Sequence, residues 1–219
     1  MAGEKSLAGL LNMATYTTIT ICNHALVLCG ASPITALTDD SANARSLNAI
    51  YEDARKGFLT ECRWSFSTTR STLVTNSTTD LFPWTYDEES SVYNRPGTSG
   101  SCLRIWDMST INAIWREEGE YLISDTAGLG ARWTWDNSEV GLWRPKAITA
   151  FIDKLCSDIC YMILNDVKKA EVFLEKYEKI SLTQAMAENS QTGAQQNVID
   201  DAWLGAKYGQ DGNPARSYS

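Results

Sequence analysis

The sequence predicts an α+β fold: an α-helical bundle from N- and C-terminal helices, an inserted β-rich lobe, and an extended C-terminal tail. Three observations predict it. Apolar residues recur every three or four positions in two blocks, one near each end of the chain, which is the signature of amphipathic helices. The stretch between them loses that period and is rich in Thr, Ser, Gly, Asn and aromatics. The last thirty or so residues hold too few apolar side chains to make a core of their own. The 219 residues suffice for one such domain, which divides into an arm over 1–18, a domain over 19–192 and a tail over 193–219. Within that domain the helices fall at 19–64 and 146–190, with the β-rich insert at 66–145.

Taken in order, residues 1–17 form a loosely held arm whose brief apolar patch (Leu7, Leu10, Leu11) makes a poor signal peptide. A helix starts near Thr20 with Ile21, Ala25, Leu28 and Cys29 on one side, and stops at Gly30 before Pro33. Residues 37–41 make a turn rich in capping side chains. Ala44, Leu47, Tyr51, Ala54 and Phe58 form the stripe of the next helix, opposite Arg45, Glu52, Asp53 and Lys56. It runs to Cys62, and Trp64-Ser65-Phe66 opens a strand-like stretch. Short β-like runs follow at 71–74, 102–106, 111–115, 121–124 and 131–135, and Glu117-Glu118-Gly119-Glu120 reads as a hairpin turn. Six of the eight Trp lie between Trp84 and Trp143, a density that suits cross-strand aromatic pairs or an interface equally. Pro145 opens the third helix, with Ile148, Phe151, Ile152, Leu155, Ile159, Met162 and Ile163 as its stripe. Leu164-Asn165-Asp166 interrupts it, Asp166 serving as a cap, and Ala170, Phe173, Leu174, Tyr177, Leu182, Ala185 and Met186 continue.

Charge narrows the partners. The net charge is −8, and residues 71–145 carry five Arg against eleven Asp and Glu, so the chain lacks the basic footprint of a nucleic-acid grip. The six Cys read as reduced core residues. No metal-ligand spacing is present: there is one His and no Cys-x-x-Cys. His24, inside an amphipathic helix, is the only imidazole base. No phosphate loop occurs, and Gly128-Leu129-Gly130 is a fragment of a dinucleotide fingerprint. The sequence therefore points away from an enzyme and calls for no cofactor or metal. A structural or interaction protein remains, with Trp203 out of place in a polar tail unless a partner covers it.

Residues 21–66 carry a further pattern: Ile21-Cys22-Asn23-His24-Ala25-Leu26, Leu28-Cys29-Gly30-Ala31, Ile34, Asp39-Asp40-Ser41, Ala44-Arg45, Tyr51-Glu52-Asp53-Ala54-Arg55 and Trp64-Ser65-Phe66. It resembles the opening of the tail tubular protein A, or head-to-tail adaptor, family of short-tailed phages. The likeness continues through Cys102-Leu103-Arg104, Glu120-Tyr121-Leu122-Ile123, the C-terminal helices and Trp203, covering about residues 19–208. Cys29 stands where that family has Leu, Arg63 where it has Pro, and the 75–100 loop is longer.

The resemblance implies a virion protein of the head–tail connector, made in the host cytoplasm. It would form a ring, typically of twelve copies, between the portal protein and a tail nozzle of the tail tubular protein B kind, with DNA passing through its channel without sequence-specific binding. It implies no membrane and no catalytic site. On this reading Trp203, Leu204 and Tyr208 in the tail meet the portal, and the acidic lobe around Glu117, Glu118 and Glu120 faces the nozzle or the channel, where like charge prevents DNA from sticking. The competing class is an aromatic-rich carbohydrate-binding or host-recognition module of a phage tail, its Trp residues stacking on sugars.

Overall fold

The computed structural model describes residues 16–76, 91–98 and 100–191, and over these the chain is a mixed α+β structure of helices and antiparallel sheets. Helix α1 (Thr18–Cys29) begins two residues before the expected start. Thr17 and Thr20 cap it reciprocally, and it ends on Gly30 at φ 77°, a left-handed position that suits a residue without a Cβ. Residues 1–15 of the expected arm lie outside the described residues. Helix α2 (Ala42–Glu61) is capped by Ser41 and buries Ala44, Leu47, Tyr51 and Phe58, as its stripe requires.

The chain then makes a turn, not the strand expected from Trp64. Trp64 is wholly buried in the helical core, and its indole N–H donates to the Phe58 carbonyl at 2.9 Å, which folds residues 64–67 back on α2. Strands β1 (Thr68–Thr72), β2 (Ser91–Asn94), β3 (Cys102–Met108), β4 (Trp115–Glu118), β5 (Tyr121–Ser124) and β6 (Gly130–Trp135) follow. They form two antiparallel three-stranded sheets, β1-β6-β3 and β2-β5-β4. The hairpin turn lies between β4 and β5, where Glu118 pairs with Tyr121 and Gly119 sits at φ 62°. The expected strand at 111–115 begins only at its last residue. The Asp125 carboxylate takes the Ile114 N–H at 3.1 Å and the Ser124 hydroxyl donates to its carbonyl, so the segment before Trp115 wraps as a turn with Ile111 98% exposed. Strand β2 was absent from the sequence reading because its pairing to β5 is long-range.

Past β6 a 3-10 turn (Val140–Leu142) leads to α3 (Pro145–Met162). Helix α3 is apolar on nearly every side and touches α1, α2, α4 (Val167–Lys176) and α5 (Leu182–Ser190). Between α3 and α4 the chain breaks where the sequence places it: Asn165 is left-handed at φ 52° and Asp166 caps α4. A π-helical turn (Tyr177–Ser181), which the 3.6-residue period conceals, joins α4 to α5. It places Ser181 where its hydroxyl donates at 2.5 Å to the buried Asp153, whose other oxygen takes Lys176 at 2.8 Å. Four apolar side chains expected on helical stripes are instead exposed: Leu28, Met162, Leu174 and Met186.

Two cores result. The larger is helical and includes Trp64 and Trp143. The smaller lies between the sheets, with Tyr93 and Leu122 from one and Ile105, Ala131 and Trp133 from the other. The chain enters the strands at Trp64–Phe66 and leaves at Trp143. There Phe58 stacks between Trp64 (4.9 Å) and Trp143 (5.5 Å), with Phe66 against both of these rings. Asn137 donates to the Phe66 carbonyl at 2.7 Å and Arg104 to the Thr60 carbonyl at 2.9 Å, tying strands to helices at the same place.

Candidate interaction surfaces

The residues of the 21–66 pattern hold the helical half together. Asn23 exchanges two 2.8 Å hydrogen bonds with the backbone of Ile34, fixing the loop after α1. Asp39 accepts from the backbone N–H groups of Thr35 (2.7 Å) and Ala36 (2.9 Å), and these bonds, the Ala36 one foremost, hold its carboxyl below the usual range. Arg55, expected only as part of the pattern, is 2% exposed on the buried face of α2. Burial opposes its charge, yet ion pairs to Asp136 and to Glu52 (2.5 Å) outweigh this and keep its pKa above normal. Asp136 follows β6, so this pair is another clasp between helices and strands. His24 is on the exposed face of α1.

The cysteines are free, and all but Cys62 are buried. Cys29, Cys156 and Cys160 meet where α1 crosses α3: the Cys29 thiol donates to the Cys156 carbonyl at 3.4 Å. Burial raises the Cys22 and Cys160 thiols to about 12, while hydrogen bonding to Cys156 and burial raise Cys29 further. These thiols are poor nucleophiles. Among the described residues no three His, Cys, Asp or Glu side chains converge to hold a metal ion, and no helix is long and apolar enough to cross a membrane.

Three surfaces face solvent in a form suited to partners. The first is the β4–β5 hairpin, which gathers Glu117, Glu118 and Glu120 at one exposed tip. Its charge is partly matched locally: Glu117 lies 3.5 Å from Arg95 and Glu118 2.9 Å from Arg116. The second is apolar and caps the end of the helices remote from the strands. Val27 and Leu28 of α1, Tyr161 and Met162 of α3, and Leu164 and Val167 at the α3–α4 turn are all exposed there. They fall at one end of the helices because α1 and α3 run alongside each other, and Lys169 of α4 donates to the Cys29 carbonyl at 2.8 Å.

The third surface is a groove of about 860 Å³ on the β1-β6-β3 sheet, bounded by Arg70, Arg132, Asp107, Trp106, Trp115 and Ile111. Arg70 and Arg132 sit directly opposite each other on β1 and β6, and Asp107 opposite Arg132 on β3. Sequence reasoning missed this arginine pair, because alternation along a strand says nothing about register. The expected portal-contacting residues Trp203, Leu204 and Tyr208 lie outside the described residues. No protein-family model matches the chain, and no curated protein matches it significantly.

Proposed function

We propose that this protein is a head-to-tail adaptor: a structural subunit that assembles as a ring, on the order of twelve copies, between a portal and a tail nozzle in a short-tailed phage. Its architecture on this reading is a helical bundle carrying an inserted β lobe at one end and an extended tail over 193–219. The observation that carries the proposal is the placement of the unpartnered apolar surfaces. One lies at the helical end remote from the strands, and another, Ile111 with Ile114, lies on the strand side. A subunit with apolar surfaces at both ends suits stacking between two different neighbours. The 21–66 pattern adds support, since Asn23, Asp39, Ser41, Arg55 and Trp64 each make a bond that shapes the helix pair or its junction. No step requires an acid, a base or a cofactor; the work is shape matching and sealing around DNA.

In this reading Trp203, Leu204 and Tyr208 anchor the tail on the portal, and the hairpin with Glu117, Glu118 and Glu120 faces the nozzle or the lumen. A chain ending at Gly193 is expected to keep the circular dichroism of the full protein and lose binding to the portal of the same virus. Retained binding would sink the portal assignment. The glycan-binding alternative has less support, because Trp64, Trp133 and Trp143 are core residues and one face of the Trp106 ring is covered by Arg104 at 4.2 Å.

A further inference from the structure

The groove on the β1-β6-β3 sheet has a charge surplus that the described residues leave unmatched. Arg70 and Arg132 are direct cross-strand neighbours, an arrangement that repels. The one carboxylate beside them, Asp107, is shared: it lies 3.3 Å from Arg132 and 3.3 Å from Arg63. Arg132 Nε is shielded from water without an aligned hydrogen bond, and Arg70 has no ion-pair partner among the described residues. In a chain of net charge −8, two arginines sharing one carboxylate with a third unpaired beside them mark a place suited to receive an anion. Trp106, Trp115 and the exposed Ile111 bound the same groove, so the occupant combines acid with apolar bulk.

The chain itself carries such a segment. Residues 198–204 read Val-Ile-Asp-Asp-Ala-Trp-Leu, two carboxylates beside a Trp and a Leu. The place where the chain leaves the described structure also fits. Asn189, at the end of α5, donates to the Arg63 carbonyl at 2.9 Å and accepts from the Ser65 N–H at 2.8 Å, and Arg63 is the residue paired with Asp107. The tail thus departs at the rim of the groove. The nine steps from Gln191 to Asp200 span up to about 30 Å, enough to enter it. In an extended segment Asp201 and Trp203 share one side, as the arginines and the aromatic wall share one groove.

We propose that residues 198–204 dock in the groove of their own chain, with Asp201 against Arg70 and Arg132, and Trp203 against Trp106, Trp115 and Ile111. The proposal holds whether or not the chain is an adaptor. Where a partner surface exists, it must displace this contact, which keeps Trp203 out of water until then.

Limited digestion of the full chain with chymotrypsin, read by mass, tests it at the bond after Trp203, with the same bond in a synthetic peptide of residues 195–210 as the unprotected reference. Docking predicts cleavage after Trp203 slower in the chain than in the peptide by about tenfold, since cutting follows the open population. The pair Asp200→Lys and Asp201→Lys is expected to abolish that protection, as is the pair Arg70→Glu and Arg132→Glu, and all four together to restore it. Equal cutting after Trp203 in the unaltered chain and in the peptide overturns the proposal, as do tail reversals that change nothing. Because the tail pair leaves the folded core untouched, it decides the matter even if the sheet variants fail to fold. Protection that fades over a hundredfold dilution, about what a second-copy contact predicts, overturns docking within one chain.

Discussion

Phe58→Ala probes the joint between helices and strands most sharply. Phe58 is fully buried, stacked on Trp64 and Trp143 and in tilted contact with Phe151 at 5.4 Å. Removing a buried Phe costs about 3–5 kcal/mol through lost transfer energy and the cavity left behind. Collapse is resisted here because the neighbours are rigid: the Trp64 indole is held by the Phe58 carbonyl, and the Trp143 ring is packed against Phe66 and Phe151 as well. The upper half of that range, about 4–5 kcal/mol, is therefore expected, a large share of the roughly 5–15 kcal/mol a domain possesses. Urea unfolding followed by far-UV and near-UV circular dichroism reads it: the midpoint drops sharply and the near-UV tryptophan signal weakens even before unfolding. A loss under about 1 kcal/mol, the scale of an ordinary surface change, would refute the view that this aromatic stack joins the two parts.

Three more outcomes follow from buried ionisable groups. Asp136→Ala strands the buried Arg55 with only the exposed Glu52, and is expected to cost about 2–3 kcal/mol in chemical denaturation, whereas Arg55→Met, which removes the charge itself, costs less; the reverse order counts against the ion pair as a clasp. Asp158 is raised above the usual carboxyl range by burial, so the folded chain takes up its proton at higher pH than the unfolded chain. That penalty on the ionised form is present at neutral pH and disappears as pH falls through the raised folded value, so Asp158→Asn should raise the Tm at pH 7 and lose its advantage in acid; a Tm gain that is the same at both pH values contradicts this. In the native protein at pH 7, Cys22, Cys29 and Cys160 should resist a chromogenic disulfide reagent that reaches them after unfolding, because their thiolates are suppressed; rapid native labelling of these thiols goes the other way.

The helices were readable because their burial is periodic. The Ala44–Leu47–Tyr51–Phe58 stripe and the Asp166 cap appear where the spacing puts them. Where the reading departs from the structure, a long-range contact outweighs local pattern. Trp64 and Phe66 look like alternating strand residues, yet the stack on Phe58 holds them in a turn. Residues 111–114 look like the start of a strand until Asp125 takes the Ile114 N–H. The π-helical turn brings Ser181 onto the Asp153 carboxylate that Lys176 also meets, contacts to α3 that the 3.6-residue period does not reveal. The surfaces divide in the same way. Glu117, Glu118 and Glu120 were legible as a group because a two-residue turn brings them together, and Arg116 meets Glu118 two residues along the same strand, whereas the Glu117–Arg95 and Arg70–Arg132 pairs join distant segments through strand pairing.

The adaptor proposal requires this chain to build a ring on a portal. Native mass of the purified protein, alone and mixed with the portal of the same virus, followed by negative-stain images, tests it most directly. The adaptor account predicts a closed ring in at least the mixed sample, with a mass that is a whole multiple of the single chain added to the portal. A monomer in both samples, with no portal complex, contradicts it.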